Sequence, residues 1–476
     1  MLRGSGSYDN PNRSRFVASP YGWGMADKAD IVVIGMGVGG EAVAGTLAES
    51  GLDVIGIEGR LVGGECPYWG CIPSKMMIRA ANLIEEARRI DGMAGQAQVE
   101  PDFTPVAKRI REEATTDWDD TIAVERFTDK GGRLVRGWGR ITGPGRVEVD
   151  GATYEASRGL VIGTGTTPVV PPIDGLADTP YWTNREALEA TEAPTSLTVL
   201  GGGAIGLELA QAYARFGTDV TVVEAADRLL PVEEPESSQL ARDALDADGL
   251  RLYVGRQATR VSHDGDRFTV GLDDGTEVTS ERLLVSVGRR SDLGRLGLDT
   301  VGLDPEAKAV EVDDQMRAGD RMWAVGDVTG HGAFTHLATY QAAIASRDIL
   351  GDPGPPADYR ALPRVTFTDP EIGSVGLTEA QARDAGVTVR TGSSQVPSSA
   401  RGWIHKAGNA GVIKLVADAD RGVLVGATSA GPWGGEVLGA LAVAVHGEVP
   451  IERLRHMIYA YPTFHRGIED ALRDLG

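Results

Sequence analysis

The sequence predicts an α/β fold class, in which two copies of a parallel-sheet strand–helix–strand fold precede a smaller α+β domain. Three observations carry this. One module, an apolar strand, a glycine turn, a helix and a second strand ending in an acid, occurs twice: IVVIGMGVGGEAVAGTLAESGLDVIGIE and LTVLGGGAIGLELAQAYARFGTDVTVVE. The glycines match in spacing, Gly35, Gly37 and Gly40 against Gly201, Gly203 and Gly206. After the Gly/Pro-rich GDPGPPADY, which reads as a linker, the chain alternates short strands with a helix.

At 476 residues the chain is long enough for two to four domains. Its 68 acidic and 47 basic side chains leave a net charge of -21, a field that repels nucleic acid and anionic lipid. The longest apolar stretch, near Leu438 to Val445, falls far short of the ~20 residues of a membrane span, and no secretory segment stands at the start. The expected setting is cytoplasmic, with no nucleic-acid or membrane partner.

Residues 1–25 lack periodicity and are expected to form a disordered tail. In each module the first glycine permits a tight turn, the second lets the backbone approach a pyrophosphate, and the third lets helix and strand pack closely. The helix N-terminus then faces the negative charge. Glu58 and Glu224 each follow the last glycine by eighteen residues, where a carboxylate accepts hydrogen bonds from ribose hydroxyls. Both modules therefore read as Rossmann-like dinucleotide-binding domains, and Glu224 favours NADH over NADPH by repelling a 2′-phosphate. Beyond Val287 come short strands including MWAVGDVTG, a helix over Thr339 to Ile349 and the linker; the strands GVIKLVAD and VLVGATSA and a helix from about Glu436 to Val445 belong to the terminal domain.

The two cysteines, Cys66 and Cys71, lie in Gly63-Gly64-Glu65-Cys66-Pro67-Tyr68-Trp69-Gly70-Cys71-Ile72-Pro73-Ser74-Lys75, which begins five residues after Glu58. A metal pair, a redox pair and two inert thiols are the alternatives. Structural zinc needs four ligands and nothing nearby completes the set. The loop's place beside the first dinucleotide argues against inert thiols, and a Cys-x₄-Cys pair can pass electrons by thiol–disulfide exchange.

This segment resembles the redox-active site of the flavin-dependent pyridine nucleotide–disulfide oxidoreductases, which include dihydrolipoamide dehydrogenase and glutathione, mycothione and mercuric reductases. GLVIGTGTTPVVPPIDG and MWAVGDVTG resemble further motifs of that family, and the likeness runs from Asp30 onward. It implies FAD on the first module, with Glu58 at the ribose and Asp327 on the flavin side, and NAD on the second. It further implies cofactor contacts at Gly139, Thr164, Gly165, Phe334, Thr335, His336 and Gly288. Cys71 is similar to the thiol that exchanges electrons with flavin and Cys66 to the one that meets substrate; Lys75 matches the flavin-adjacent lysine and Glu208 its acidic partner. The implied domains are 26–168 with 288–350 for FAD, 169–287 for NAD, and 351–476 for dimerisation, giving a homodimer with a shared active site and a small-molecule disulfide or other electrophile as substrate.

The pattern breaks near the C-terminus. Tyr461, before Pro462 and Thr463, stands where the family places a partner-subunit histidine, and Arg466 where it places that histidine's glutamate. Tyrosine, with pKa ~10, donates a proton better than it accepts one, so reduction is the expected direction. A mercuric-type reductase is an alternative: that enzyme also has a tyrosine here, but its terminal cysteine pair is absent. A non-disulfide electrophile, His465 as a displaced base, and an FAD- and NAD-binding redox sensor are the others. Pro67, Tyr68 and Trp69 replace smaller residues between the thiols, and their bulk is expected either to pack against flavin or to form a substrate wall.

Overall fold

The computed structural model describes residues 26–476, so the expected tail lies outside the described residues. The chain divides into two compact units. The first comprises 26–64, Asp120–Thr166 and Ser291–Ala357. Its sheet places β1 (Asp27–Ile34) between β2 (Val54–Glu58) and the long strand β4 (Ala152–Ile162), with β3 (Arg133–Arg136) outside β2 and Met322–Ala324 outside β4. These five run parallel. Ile31, Val32 and Val33 are wholly buried, as expected of a strand covered on both faces, which therefore reads as an apolar run rather than an alternation.

The helix α1 (Val38–Glu49) packs on the helix Thr335–Leu350, which begins four residues before the sequence places it. Small residues allow that approach: a Cβ on Gly39 would stand 3.4 Å from the Cβ of Ala338. MWAVGDVTG forms the strand Met322–Ala324 and a 3₁₀ turn at Asp327–Thr329.

The second unit comprises Glu65–Asp119, Thr167–Arg290 and Asp358–Gly476. It opens with α2 (Glu65–Trp69) and α3 (Cys71–Arg88), and continues with α4 (Asn184–Glu189), β5 (Ser196–Leu200), α5 (Ala204–Arg215) and β6 (Asp219–Glu224). β5 and β6 are the central pair of a four-stranded parallel sheet. The sequence assigns residues 65–119 to the 26–168 segment. Residues 65–119 pack with the second unit because Met77, Ala81, Phe103, Val106 and Ile110 share one apolar core with Leu207, Ala210 and Tyr213 of α5.

The C-terminal part is a five-stranded antiparallel sheet in the order Pro363–Thr366, Glu371–Gly376, Val423–Gly431, Val412–Asp418, Val389–Gln395. The helix Gly434–His446 covers it, burying Val437, Leu438, Leu441, Ala444 and Val445. Lys414, buried on this sheet, is caged by Glu234, Glu236 and Glu379 at 2.9–3.1 Å. Three acceptors offset the cost of taking one ammonium out of water. Among the described residues no helix is long and apolar enough to cross a membrane.

Candidate functional site

The two glycine turns have the same geometry. Gly35 and Gly201 take φ +89° and +109°, a region that favours glycine, and a Cβ on either would stand 2.6 Å from Gly163 O or 2.5 Å from Ser286 O. Gly40 and Gly206 press against the preceding turn, their added Cβ atoms falling 1.9 and 2.2 Å from the carbonyls of Gly35 and Gly201. The middle positions are open: around Gly37 nothing comes nearer than 3.9 Å, and around Gly203 nothing lies within 4 Å. Gly37 and Gly203 cap α1 and α5 without a side-chain bond. Each helix therefore presents its first N–H groups over an open cradle, which fits a pyrophosphate.

The acids repeat the correspondence. Glu58 accepts from Met36 N at 2.8 Å and Arg60 N at 2.7 Å; Glu224 accepts from Gly202 N at 2.5 Å and Ala226 N at 2.6 Å. Each carboxylate is thus oriented by the residue after the first glycine and by its own i+2 amide. Burial pushes the Glu58 carboxyl above its ordinary range, against the pull of those amides.

Within the first unit, Gly35 packs against Gly163 and Thr164, and Gly139 approaches Ile34 and Ile57. Both contacts lie at the carboxyl ends of β1, β2 and β4, where open parallel sheets bind ligands. Asp327 accepts from Thr166 Oγ1 at 2.8 Å, Gly165 has φ +64°, and the rings of Phe334 and His336 stack at 5.2 Å beside Thr335, which opens its helix. Gly288, with φ +124°, stands in the second unit just before Arg289–Arg290. A Gly40→Ala protein is expected to retain far less FAD than wild type, because the methyl group forces the turn open. The flavin-to-protein absorbance ratio after purification measures this.

In the second unit Cys66 lies in α2, and Cys71 is the first residue of α3. Gly70 joins them in a fold so tight that a Cβ there would sit 3.1 Å from Cys66 Cα. Lys75 lies one turn into α3, its Nζ 2.7 Å from Glu208 Oε2 and 4.6 Å from the Phe367 ring. Glu208 is buried and also accepts from Phe367 N at 2.8 Å, so the charge of one lysine is balanced by a single well-held carboxylate.

The bulk between the thiols is held by the chain itself. Tyr68 is buried. Trp69 donates to Glu189 at 2.6 Å and lies 4.6 Å beneath the Arg185 guanidinium. Arg185 and Glu65 form an ion pair, and Arg289 approaches the same carboxylate at 3.6 Å. Sequence reasoning missed Glu65 and Arg185; the available signal was an acid directly before Cys66.

At the C-terminal end Tyr461 is 70% exposed. The Arg466 guanidinium lies 5.5 Å from the centre of its ring, donates to Tyr459 O at 3.1 Å and pairs with Glu469 at 3.0 Å. His465 instead has its Nε2 3.4 Å from Thr463 Oγ1 and its ring against Tyr459.

Two open glycine cradles, each with an oriented acid, together with a dithiol segment and a lysine–glutamate pair, define a two-nucleotide redox protein. The chain belongs to the pyridine nucleotide-disulphide oxidoreductase family: that family's model matches residues 29–346, and its dimerisation-domain model matches 362–472. A dihydrolipoyl dehydrogenase of Haloferax volcanii is 32% identical, over 94% of this chain and 96% of its own length. A mercuric reductase of Streptomyces lividans is 33% identical, over 92% of this chain and 94% of its own. Among solved structures, the HOCl-induced flavoprotein disulfide reductase RclA of Escherichia coli matches with TM-score 0.82 and 26% identity, covering 93% of this chain and 99% of that one. LpdA of Mycobacterium tuberculosis matches with TM-score 0.82 and 26% identity, covering 95% and 100%. The protein is an FAD-dependent oxidoreductase that takes electrons from a nicotinamide nucleotide and acts on a disulfide or related electrophile.

Proposed function

We propose that this enzyme works as an NADH-dependent reductase of a small-molecule disulfide, as a cytoplasmic homodimer in which Tyr461 of one copy serves the thiols of the other. The observation that carries the reading is the replacement of a carboxylate-held base by a tyrosine whose ring lies under Arg466, itself paired with Glu469. Such a group donates a proton or hydrogen bond at neutral pH and does not strip one from a dithiol. The Glu224 carboxylate, oriented by the amides of Gly202 and Ala226, supports NADH, since it would repel a 2′-phosphate. Ile458, 96% exposed in the region matched by the dimerisation domain, supports burial by a second copy.

Bound FAD supplies the exchange between a nicotinamide hydride and thiol electron pairs. Lys75, held by Glu208, offers a cation near the flavin, and Cys71 takes the flavin-facing role. The Cys66 thiolate attacks one sulfur of the substrate disulfide and forms a mixed disulfide; the leaving thiolate takes a proton from Tyr461. The Cys71 thiolate then attacks Cys66, releasing the second substrate thiolate, which takes a proton from solvent, and closing the Cys66–Cys71 disulfide; Tyr461 regains its proton from solvent. One substrate disulfide is reduced to two thiols and one protein dithiol is oxidised.

A panel of NADH-dependent turnover tests this, with lipoamide, mycothione-type and glutathione-type disulfides, quinones and mercuric ion as acceptors. Tyr461→Phe is expected to lower kcat on the accepted disulfide by about 10²-fold with little change in KM, and Tyr461→His to gain dihydrolipoamide oxidation. Turnover of mercuric ion alone favours the metal-ion reading, and oxygen-only turnover favours a redox sensor. Full disulfide reductase activity in a monomer contradicts the shared site.

A further inference from the structure

Glu65 and Cys66 are consecutive residues, their Cα atoms about 3.8 Å apart, and open the five-residue helix α2. A single turn this short does not hold itself; α4 holds it at both ends. At the first end Arg185 pairs with the Glu65 carboxylate and Arg289 stands 3.6 Å from it. At the other, Asn184 Nδ2 donates to Trp69 O at 2.7 Å, Glu189 accepts from the indole at 2.6 Å, and Arg185 covers the ring. α4 is itself fixed by a capping box, in which Thr183 accepts from Arg185 N at 3.2 Å and Glu186 accepts from Thr183 N at 2.7 Å.

An acid next to a reacting thiol works against the thiolate unless its charge is met. We propose that Arg185, supported by Arg289, is a positioning residue for the substrate-facing thiol: it holds the Glu65 charge in an ion pair and seats α2 through Trp69. This rests on the reading of Cys66 as the thiol that meets substrate. The charged groups around α2 are Glu65 itself, Arg185 and Glu189 on α4, Arg289 on its strand, and Lys75 on α3, which is engaged by Glu208. Removing the guanidinium leaves the carboxylate with the more distant Arg289; removing the carboxylate leaves both guanidinium charges unbalanced by it at the residue before the thiol. The two changes act in opposite directions.

The test uses the full-length, FAD-loaded protein, reduced with NADH and pulsed with iodoacetamide between pH 5 and 9. Labelling at Cys66 and Cys71 is then quantified by peptide mass spectrometry. In wild type Cys66 is expected to label faster, although Cys71 is the more exposed thiol of the chain alone, because bound FAD shields the thiol in the flavin-facing role. Arg185→Met raises the pH of half-maximal Cys66 labelling by about one unit, a tenfold loss of thiolate at low pH; Glu65→Gln lowers it, Arg185→Lys stays near wild type, and Cys71 moves little in all three. Glu65→Gln, which only removes a charge, carries the test should Arg185→Met fail to fold. A Cys66 profile unmoved by either charge change overturns the proposal alone. Faster labelling of Cys71 in wild type overturns the thiol assignment and the proposal with it.

Discussion

In the Cys71→Ser protein, the long-wavelength band formed on anaerobic mixing with NADH is expected to vanish, and disulfide turnover to fall by at least about 10³-fold. Cys66→Ser is expected to keep the band while losing turnover to a similar degree. The asymmetry follows from position. Cys71 is the first residue of an eighteen-residue helix, where unsatisfied N–H groups and the helix dipole favour a thiolate. Cys66 sits in the short preceding helix, joined to it by Gly70. Stopped-flow spectra of the two variants, beside steady-state assays, decide the matter; a band that survives in Cys71→Ser and disappears in Cys66→Ser reverses the two roles.

Arg215→Met is expected to destabilise the second unit by about 3 kcal/mol. Arg215 is 2% exposed. Its guanidinium donates to Asp248 at 3.1 Å, Asp369 at 2.9 Å and Asn82 at 2.6 Å, linking α5 to α3 and to the C-terminal sheet. Methionine fills the space but leaves two carboxylates short of a partner. Gln211 still serves Asp248 and Arg89 still serves Asp369, which places the expected loss at the lower end for a broken buried pair. The half-exposed pair Arg251–Asp219, 2.9 Å apart, is the control, with an expected change of about 0.5 kcal/mol or less on the same substitution. Calorimetric scans of both variants measure the difference, and equal transition temperatures would contradict the role given to Arg215.

How much of the site was legible varies by residue. Gly35, Gly40, Gly201 and Gly206 could be placed from spacing because each has a local requirement: Gly35 and Gly201 take a positive φ, and the carbonyl of that same turn leaves no room for a Cβ at Gly40 or Gly206. Glu58 and Glu224 followed for the same reason, each bonded to amides of its own module. The pairing of Lys75 with Glu208 was expected only through family resemblance, since 133 residues separate them. Arg466 stood at a glutamate's position, but its seat on the Tyr461 ring, locked by Glu469, is a matter of packing.

The repeated nucleotide module, the dithiol segment and the missing histidine were determined by the sequence by itself, because glycine geometry, strand hydrophobicity and residue identity act within about thirty residues of chain. Tertiary structure alone decided that residues 65–119 pack with the second unit, that Trp69 is clamped between Glu189 and Arg185, and that Glu65 is met by Arg185. Those outcomes depend on side chains brought together across 120 residues, where no local backbone preference acts and only the shared core and the balance of buried charge select the partner.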